Sequence, residues 1–152
     1  MSKPSKEVLE ALRKAYCMEV ETVINYLANA LDLEGVRADH IKQSLLSDIQ
    51  GELGHAQQLG NRIKQLGGSI PGSLSLEFGQ KSLQPPTDPT DVVAVIQGVI
   101  AAEEEAIAHY EKTIELARKH HDYVTENLAI EILSDEEAHH QQFLGYLKEY
   151  TK

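Results

Sequence analysis

Apolar residues recur along this chain at spacings of three and four, the signature of helices that bury one face. Four such segments follow one another. The first runs from about Ser5 to Glu34 with a stripe of Leu9, Leu12, Tyr16, Val20, Val23, Leu27 and Leu31, and Gly35 ends it. The second starts near Asp39, a residue suited to an N-cap, and carries Ile41, Leu45, Ile49, Ala56, Leu59, Ile63 and Leu66 up to Gly67-Gly68. The third begins near Thr90 and carries Val93, Ile96, Val99, Ile100, Ile107, Tyr110, Ile114 and Ala117. After a His120-His121-Asp122 corner, the fourth carries Val124, Leu128, Ile132, Phe143 and Leu147.

The loops within the first and second pairs are short, so each pair forms an antiparallel hairpin. Between the pairs lies a stretch from Gly67 to Pro89 containing Pro71, Pro85, Pro86 and Pro89, which cannot be helical throughout. It is long enough to cross the full length of a bundle, which makes helices two and three parallel. The expected fold is all-α: one domain over residues 1–152, a four-helix bundle with one long crossover between helices two and three. Its long bundle faces and its apolar crossover residues, Ile70, Leu74, Leu76, Phe78 and Leu83, need cover, and an antiparallel two-fold homodimer along the bundle is the commonest way to give it.

The stripes are interrupted by acids and histidines. Glu19 lies between Tyr16 and Val23, and Glu52 and His55 between Ile49 and Leu59. Glu103 lies between Ile100 and Ile107, and Glu136 and His139 between Ile132 and Phe143. An inward charge costs several kcal/mol unless it is paired or bound to metal. The stripes bring no Lys or Arg to face these six, which counts against a scaffold of buried ion pairs. The interruptions also repeat. Adding 84 to Glu19, Tyr26, Glu52 and His55 gives Glu103, Tyr110, Glu136 and His139, so the two hairpins read as copies about a two-fold axis. Glu and His three apart share a helix face and serve one metal ion together. Four carboxylates neutralise two divalent ions, and oxygen plus imidazole donors suit iron or manganese. The neighbouring Glu104, Glu105 and Glu137 fall around the helix from these positions and are expected in solvent, as are His40, His109, His120 and His140 at surface or corner positions.

Composition narrows the partners. The net charge of −10 argues against nucleic acid. No apolar run approaches the roughly 20 residues a membrane helix needs, and Met1 to Lys6 holds no apolar signal core, so a cytoplasmic location is expected. The single Cys17 excludes an internal disulfide and a thiolate metal cluster.

Several stretches resemble the ferritin-like superfamily, and within it bacterioferritin. Glu19-Val-Glu-Thr-Val-Ile-Asn-Tyr26 matches a first-helix ligand glutamate followed by tyrosine. Glu52-Leu-Gly-His55 matches the second-helix ligands, followed by Leu66-Gly-Gly. His121-Asp-Tyr-Val124 and Ile130-Glu-Ile-Leu-Ser-Asp-Glu-Glu-Ala-His139 are similar to the third corner and fourth helix. The resemblance implies a ferritin-like bundle in which Glu19 and His55 hold one iron, Glu103 and His139 a second, and Glu52 and Glu136 bridge them. Tyr26 and Tyr110 stand behind the ligands, Tyr26 as a hydrogen-bond donor or electron source, and Asp135 is placed to orient a ligand histidine. The implied activity is a ferroxidase that oxidises Fe(II) with O2 or H2O2 for iron storage or detoxification. The alternative is a di-iron or di-manganese oxidase, peroxidase or oxygenase acting on another substrate. Leu53 stands where bacterioferritins carry a haem-binding Met, and Met1 and Met18 are the only methionines, so no Met-ligated haem is expected. The sequence holds no cysteines of a rubredoxin module, and with about a dozen residues after His139 no fifth helix like that of 24-subunit ferritins is expected. The expected assembly is a homo-oligomer, at least a dimer, with a cage possible.

Overall fold

A computed structural model describes residues 4–152; the first three residues of the Met1-to-Lys6 reading lie outside them. Four helices account for most of the described chain: α1 Lys6–Asp32, α2 Asp39–Gln65, α3 Val92–Lys119 and α4 Tyr123–Tyr150. Each is 27 or 28 residues, so each spans roughly 40 Å at 1.5 Å per residue. No strand occurs among the described residues, and no helix is long and apolar enough to cross a membrane.

The helix ends follow capping chemistry. Ser5, Asp91 and Asp122 each accept a hydrogen bond from a first-turn backbone N–H of α1, α3 and α4. The expected cap at Asp39 is not formed. Ala38 is the N-cap, already in helical conformation at the end of a turn, and Asp39 sits inside the first turn, where its charge still suits the helix dipole.

Contacts fix the topology. Tyr26 meets Glu103, His109 meets the Ala11 carbonyl, and the Glu34 amide donates to the Pro89 carbonyl, so α1 and α3 run antiparallel. His55 meets Asp135 and Arg62 meets Thr125, so α2 and α4 are antiparallel too. The crossover therefore runs the length of the bundle and leaves α2 and α3 parallel, as the loop lengths predict. Its only regular element is a 3-10 turn, Ser73–Ser75.

The crossover explains where the stripes misread α1. Leu27 and Leu31 are exposed, and so is Val124 on α4. In α1 the buried face carries Glu21, Thr22, Asn25 and Asn29 instead. These polar groups tie down the aperiodic backbone and side chains beside them. The Glu21 carboxylate accepts from the Gly79 and Gln80 amides, Asn25 donates to Gln80, and Asn29 donates to the Leu83 carbonyl at 2.9 Å. Leu83 is thereby inserted into the core, whereas Leu74 stays fully exposed.

Two apolar plugs fill the bundle. One gathers Tyr26, Ile41, Leu45, Leu83, Ile96, Val99 and Phe143; the other gathers Leu12, Leu59, Ile63, Tyr110, Ile114 and Ile132. The polar interruptions form a layer between them.

One end is stitched by Arg62, buried between α2 and the corner before α4. It donates to Asp122 at 2.7 Å and to Thr125 at 3.0 Å. Asp122→Ala removes a helix cap and strands a buried guanidinium, so about 2–4 kcal/mol of stability is expected to be lost in denaturant unfolding. Burial raises the Asp122 pKa, but hydrogen bonds from Thr125 and Arg62 outweigh it and hold the carboxyl below its ordinary value. Its contribution is thus present above about pH 4 and lost as pH falls through the depressed folded value, so wild type and variant converge in acid.

Candidate metal centre

The helical register turns Glu19, Glu52, His55, Glu103, Glu136 and His139 toward one another in the middle of the bundle. The four glutamates and His55 are buried, and His139 is partly buried. They form two overlapping groups: Glu19, Glu52, His55 and Glu136, then Glu52, Glu103, Glu136 and His139. Within each group the potential donor atoms lie within 4.8 Å of one another. Glu52 and Glu136 belong to both groups, the sharing expected of bridging carboxylates. His55 Nδ1 is 3.2 Å from Glu136 Oε1 and 3.5 Å from Glu19 Oε2; His139 Nδ1 is 3.4 Å from Glu52 Oε1.

The two tyrosines cross over. Tyr26 on α1 donates to Glu103 on α3 at 2.9 Å, and Tyr110 on α3 donates to Glu19 on α1 at 2.6 Å. Each hairpin thus supplies the hydroxyl that fixes the other's unshared glutamate. Both phenols are fully buried beside carboxylates, and burial followed by those charges pushes their pKa values well above 10.

The electrostatics are those of a site short of positive charge. Burial, then repulsion from Glu52, raises the Glu19 pKa well above the ordinary carboxylate range. Burial, then the Glu136 carboxyl, pushes Glu103 up to about 12. In this low-dielectric layer Glu19 and Glu103 ionise only when cations enter it. Among the described residues, no Lys or Arg pairs with any of the six. The one buried arginine, Arg62, is engaged at Asp122.

Each of the six residues also keeps one buried polar atom without a hydrogen-bond partner: Glu19 Oε2, Glu52 Oε1, His55 Nδ1, Glu103 Oε2, Glu136 Oε1 and His139 Nδ1. An orphaned buried acceptor costs about 1–3 kcal/mol, so six in one layer need a shared partner. Oxygen and imidazole donors around that volume fit divalent first-row metal ions.

The ferritin-like domain profile matches residues 9–152. The chain belongs to the ferritin-like family. Two solved relatives share the fold along nearly the whole chain. A ferritin-like, diiron-carboxylate protein from Bacillus anthracis is 26% identical, with a TM-score of 0.82 over 97% of this chain and 99% of that one. The dodecameric thioferritin of Bacteroides fragilis, a bacterioferritin-related protein, is also 26% identical, with a TM-score of 0.84 over 98% of this chain and 89% of that one. Among curated protein sequences none matches significantly.

The remaining acids and histidines near these positions fall outside the layer. Glu104, Glu105 and Glu137 are exposed, as their helical angle predicts, and His140 pairs with Glu104 at 3.2 Å. His40 is exposed, and His120 at the corner lies near Glu7. His109 departs from the surface expectation. It is buried, its Nε2–H donates to the Ala11 carbonyl at 2.8 Å, and burial depresses its pKa. It is a neutral strut between α3 and α1. The signal available in the sequence was its helical spacing from Ala102, Thr113 and Ala117, small residues that are buried with it along α3.

Proposed function

We propose that this chain is a ferroxidase, binding Fe(II) as substrate at two adjacent positions and passing its electrons to O2 or H2O2. The observation that carries this reading is the set of six orphaned donor atoms converging with no Lys or Arg partner among the described residues. Two Fe(II) ions giving one electron each reduce H2O2 and two protons to two waters, or O2 and two protons to H2O2. The proposed ligands are Glu19 and His55 at one position and Glu103 and His139 at the other, with Glu52 and Glu136 shared. Iron is the proposed native metal, and manganese fits the same donors.

The residues around the ions have separate tasks. Tyr26 and Tyr110 hold Glu103 and Glu19 in place, and Tyr26 is proposed as the redox-active side chain. The flanking apolar plugs keep bulk water from the layer and strengthen every charge interaction inside it. A cavity of about 1090 Å³ lies between α1, α3 and the crossover, but none of the six residues lines it. An organic substrate held in that cavity would not touch the proposed ligands.

A storage role needs an assembly. Ile24, Leu27 and Leu31 expose an apolar row on α1, and Leu46 and Leu53 do so on α2. We read these as the homodimer face, with a cage built from such dimers. Added Fe(II) in air is expected to be oxidised faster than in buffer, followed as ferric absorbance in stopped flow. Glu19→Ala or His139→Ala should abolish the gain. Tyr26→Phe, which keeps all six ligands, should slow it. Oxidation at the buffer rate sinks the ferroxidase reading. Oxidation that stops at two irons per chain, in a dimer on a sizing column, removes storage and leaves the redox-enzyme alternative.

A further inference from the structure

The internal repeat copies the six donors faithfully but not what stands behind them. Behind His55, Asp135 of α4 accepts a hydrogen bond from Nε2 at 2.8 Å. That bond fixes the tautomer, leaves Nδ1 free to face the site, and makes the imidazole a stronger donor. Subtracting the repeat offset of 84 from 135 gives position 51, and position 51 is Gly51. Nothing stands within 4 Å of the place where a side chain at Gly51 would begin. Among the described residues, His139 accordingly forms close ion-pair contacts through Nδ1 alone, to Glu52 and Glu103. Asp48, one turn before Glu52, makes no hydrogen bond to His139, and its Oδ2 is itself unpartnered. The His139 side chain is also more open, 19% exposed against 6% for His55.

We propose that the two metal positions are unequal by construction, with Asp135 the positioning residue that makes the Glu19–His55 position the tighter one. The inference rests on the two-metal reading of this site. It assigns the Glu103–His139 position, with an unsupported and more open imidazole, as the one that fills last and exchanges first. The cause is a single asymmetry in the repeat: an aspartate behind one histidine and a glycine behind the other.

Co(II) titration of the metal-free protein, followed by visible absorbance and calorimetry, tests this without oxidation. Two Co(II) per chain should bind in two steps. Loss of a carboxylate behind a ligand histidine typically weakens metal binding tenfold to a hundredfold. Asp135→Ala should therefore weaken the first step at least tenfold and the second less than threefold. Asp135→Asn, which keeps an acceptor, should fall between Asp135→Ala and wild type. Gly51→Asp should tighten the second step. If the two positions were equal, Asp135→Ala would barely move the first step, because the first ion would enter the intact position. A first-step shift under tenfold therefore overturns the proposal while leaving two bound ions and the two-metal reading in place. One ion or fewer bound by wild-type protein overturns that reading, and the proposal with it. Asp135 is on the surface, and helical circular dichroism checks that its variants fold. Gly51→Asp supplies an independent measurement: a second step that fails to tighten also counts against the proposal.

Discussion

Glu52→Ala is expected to empty both metal positions, not one. Glu52 is the residue whose two oxygens face different histidines: Oε1 lies 3.4 Å from His139 Nδ1 and Oε2 lies 3.9 Å from His55 Nδ1. Without it each position loses a donor, and the pair loses one of the four negative charges that balance two divalent ions. Elemental analysis after loading and desalting should give two ions per chain for wild type and well under one for Glu52→Ala. Glu19→Ala, which touches one position, should keep about one. Stability should follow the metal. An ion that binds only the folded state contributes about 2.7 kcal/mol when its concentration is a hundred times its Kd. Two such ions correspond to roughly 5 kcal/mol, or about 10–20 °C in Tm for a chain of this size. Wild type should show that rise on loading and Glu52→Ala should not. A Glu52→Ala protein that retains two ions would remove Glu52 from the site.

Gly98→Ala is expected to destabilise the fold, although alanine favours a helix by about 1 kcal/mol over glycine. A β-carbon at Gly98 would lie 2.5 Å from the Ser82 carbonyl oxygen, a backbone atom that cannot swing aside. The crossover would have to lift from α3, loosening buried Leu83 and the hydrogen bond its carbonyl accepts from Asn29. Overpacking of this kind costs about 1–3 kcal/mol, and losing the bond adds about 1 kcal/mol. The net expectation is a loss of about 1–3 kcal/mol in urea unfolding. Gly145→Ala is the control, because nothing lies within 4 Å of that position and the same change should stabilise α4 slightly. Equal effects at the two glycines would show that the crossover yields freely.

The contrast between these residues marks what the sequence makes legible. The six inward donors stand out because each breaks an apolar period, and the offset of 84 ties them together. Helix lengths and the parallel α2–α3 pair follow from where glycine and proline fall. The crossover has no period, so its seat cannot be read that way. Glu21, Asn25 and Asn29 look like a solvated face of α1, yet they are buried to satisfy the crossover's polar groups. For the same reason Leu27 and Leu31 are turned outward. His109 escapes notice because one backbone carbonyl is partner enough for a neutral imidazole. Gly98 shows its purpose only when the strand of chain passing over it is known.

The crossed tyrosines have a further consequence. Each hairpin holds its own Glu and Glu-x-x-His set but borrows from its twin both a shared carboxylate and the hydroxyl that fixes its unshared glutamate. Neither hairpin is a functional half. The proposed metal layer is in effect an interface between two half-proteins, and the crossover is a tether that sets their effective concentration rather than a part of the proposed chemistry. A nick beside Leu74, where the tether is fully exposed, would turn one folding chain into two partners that recover the centre only by meeting.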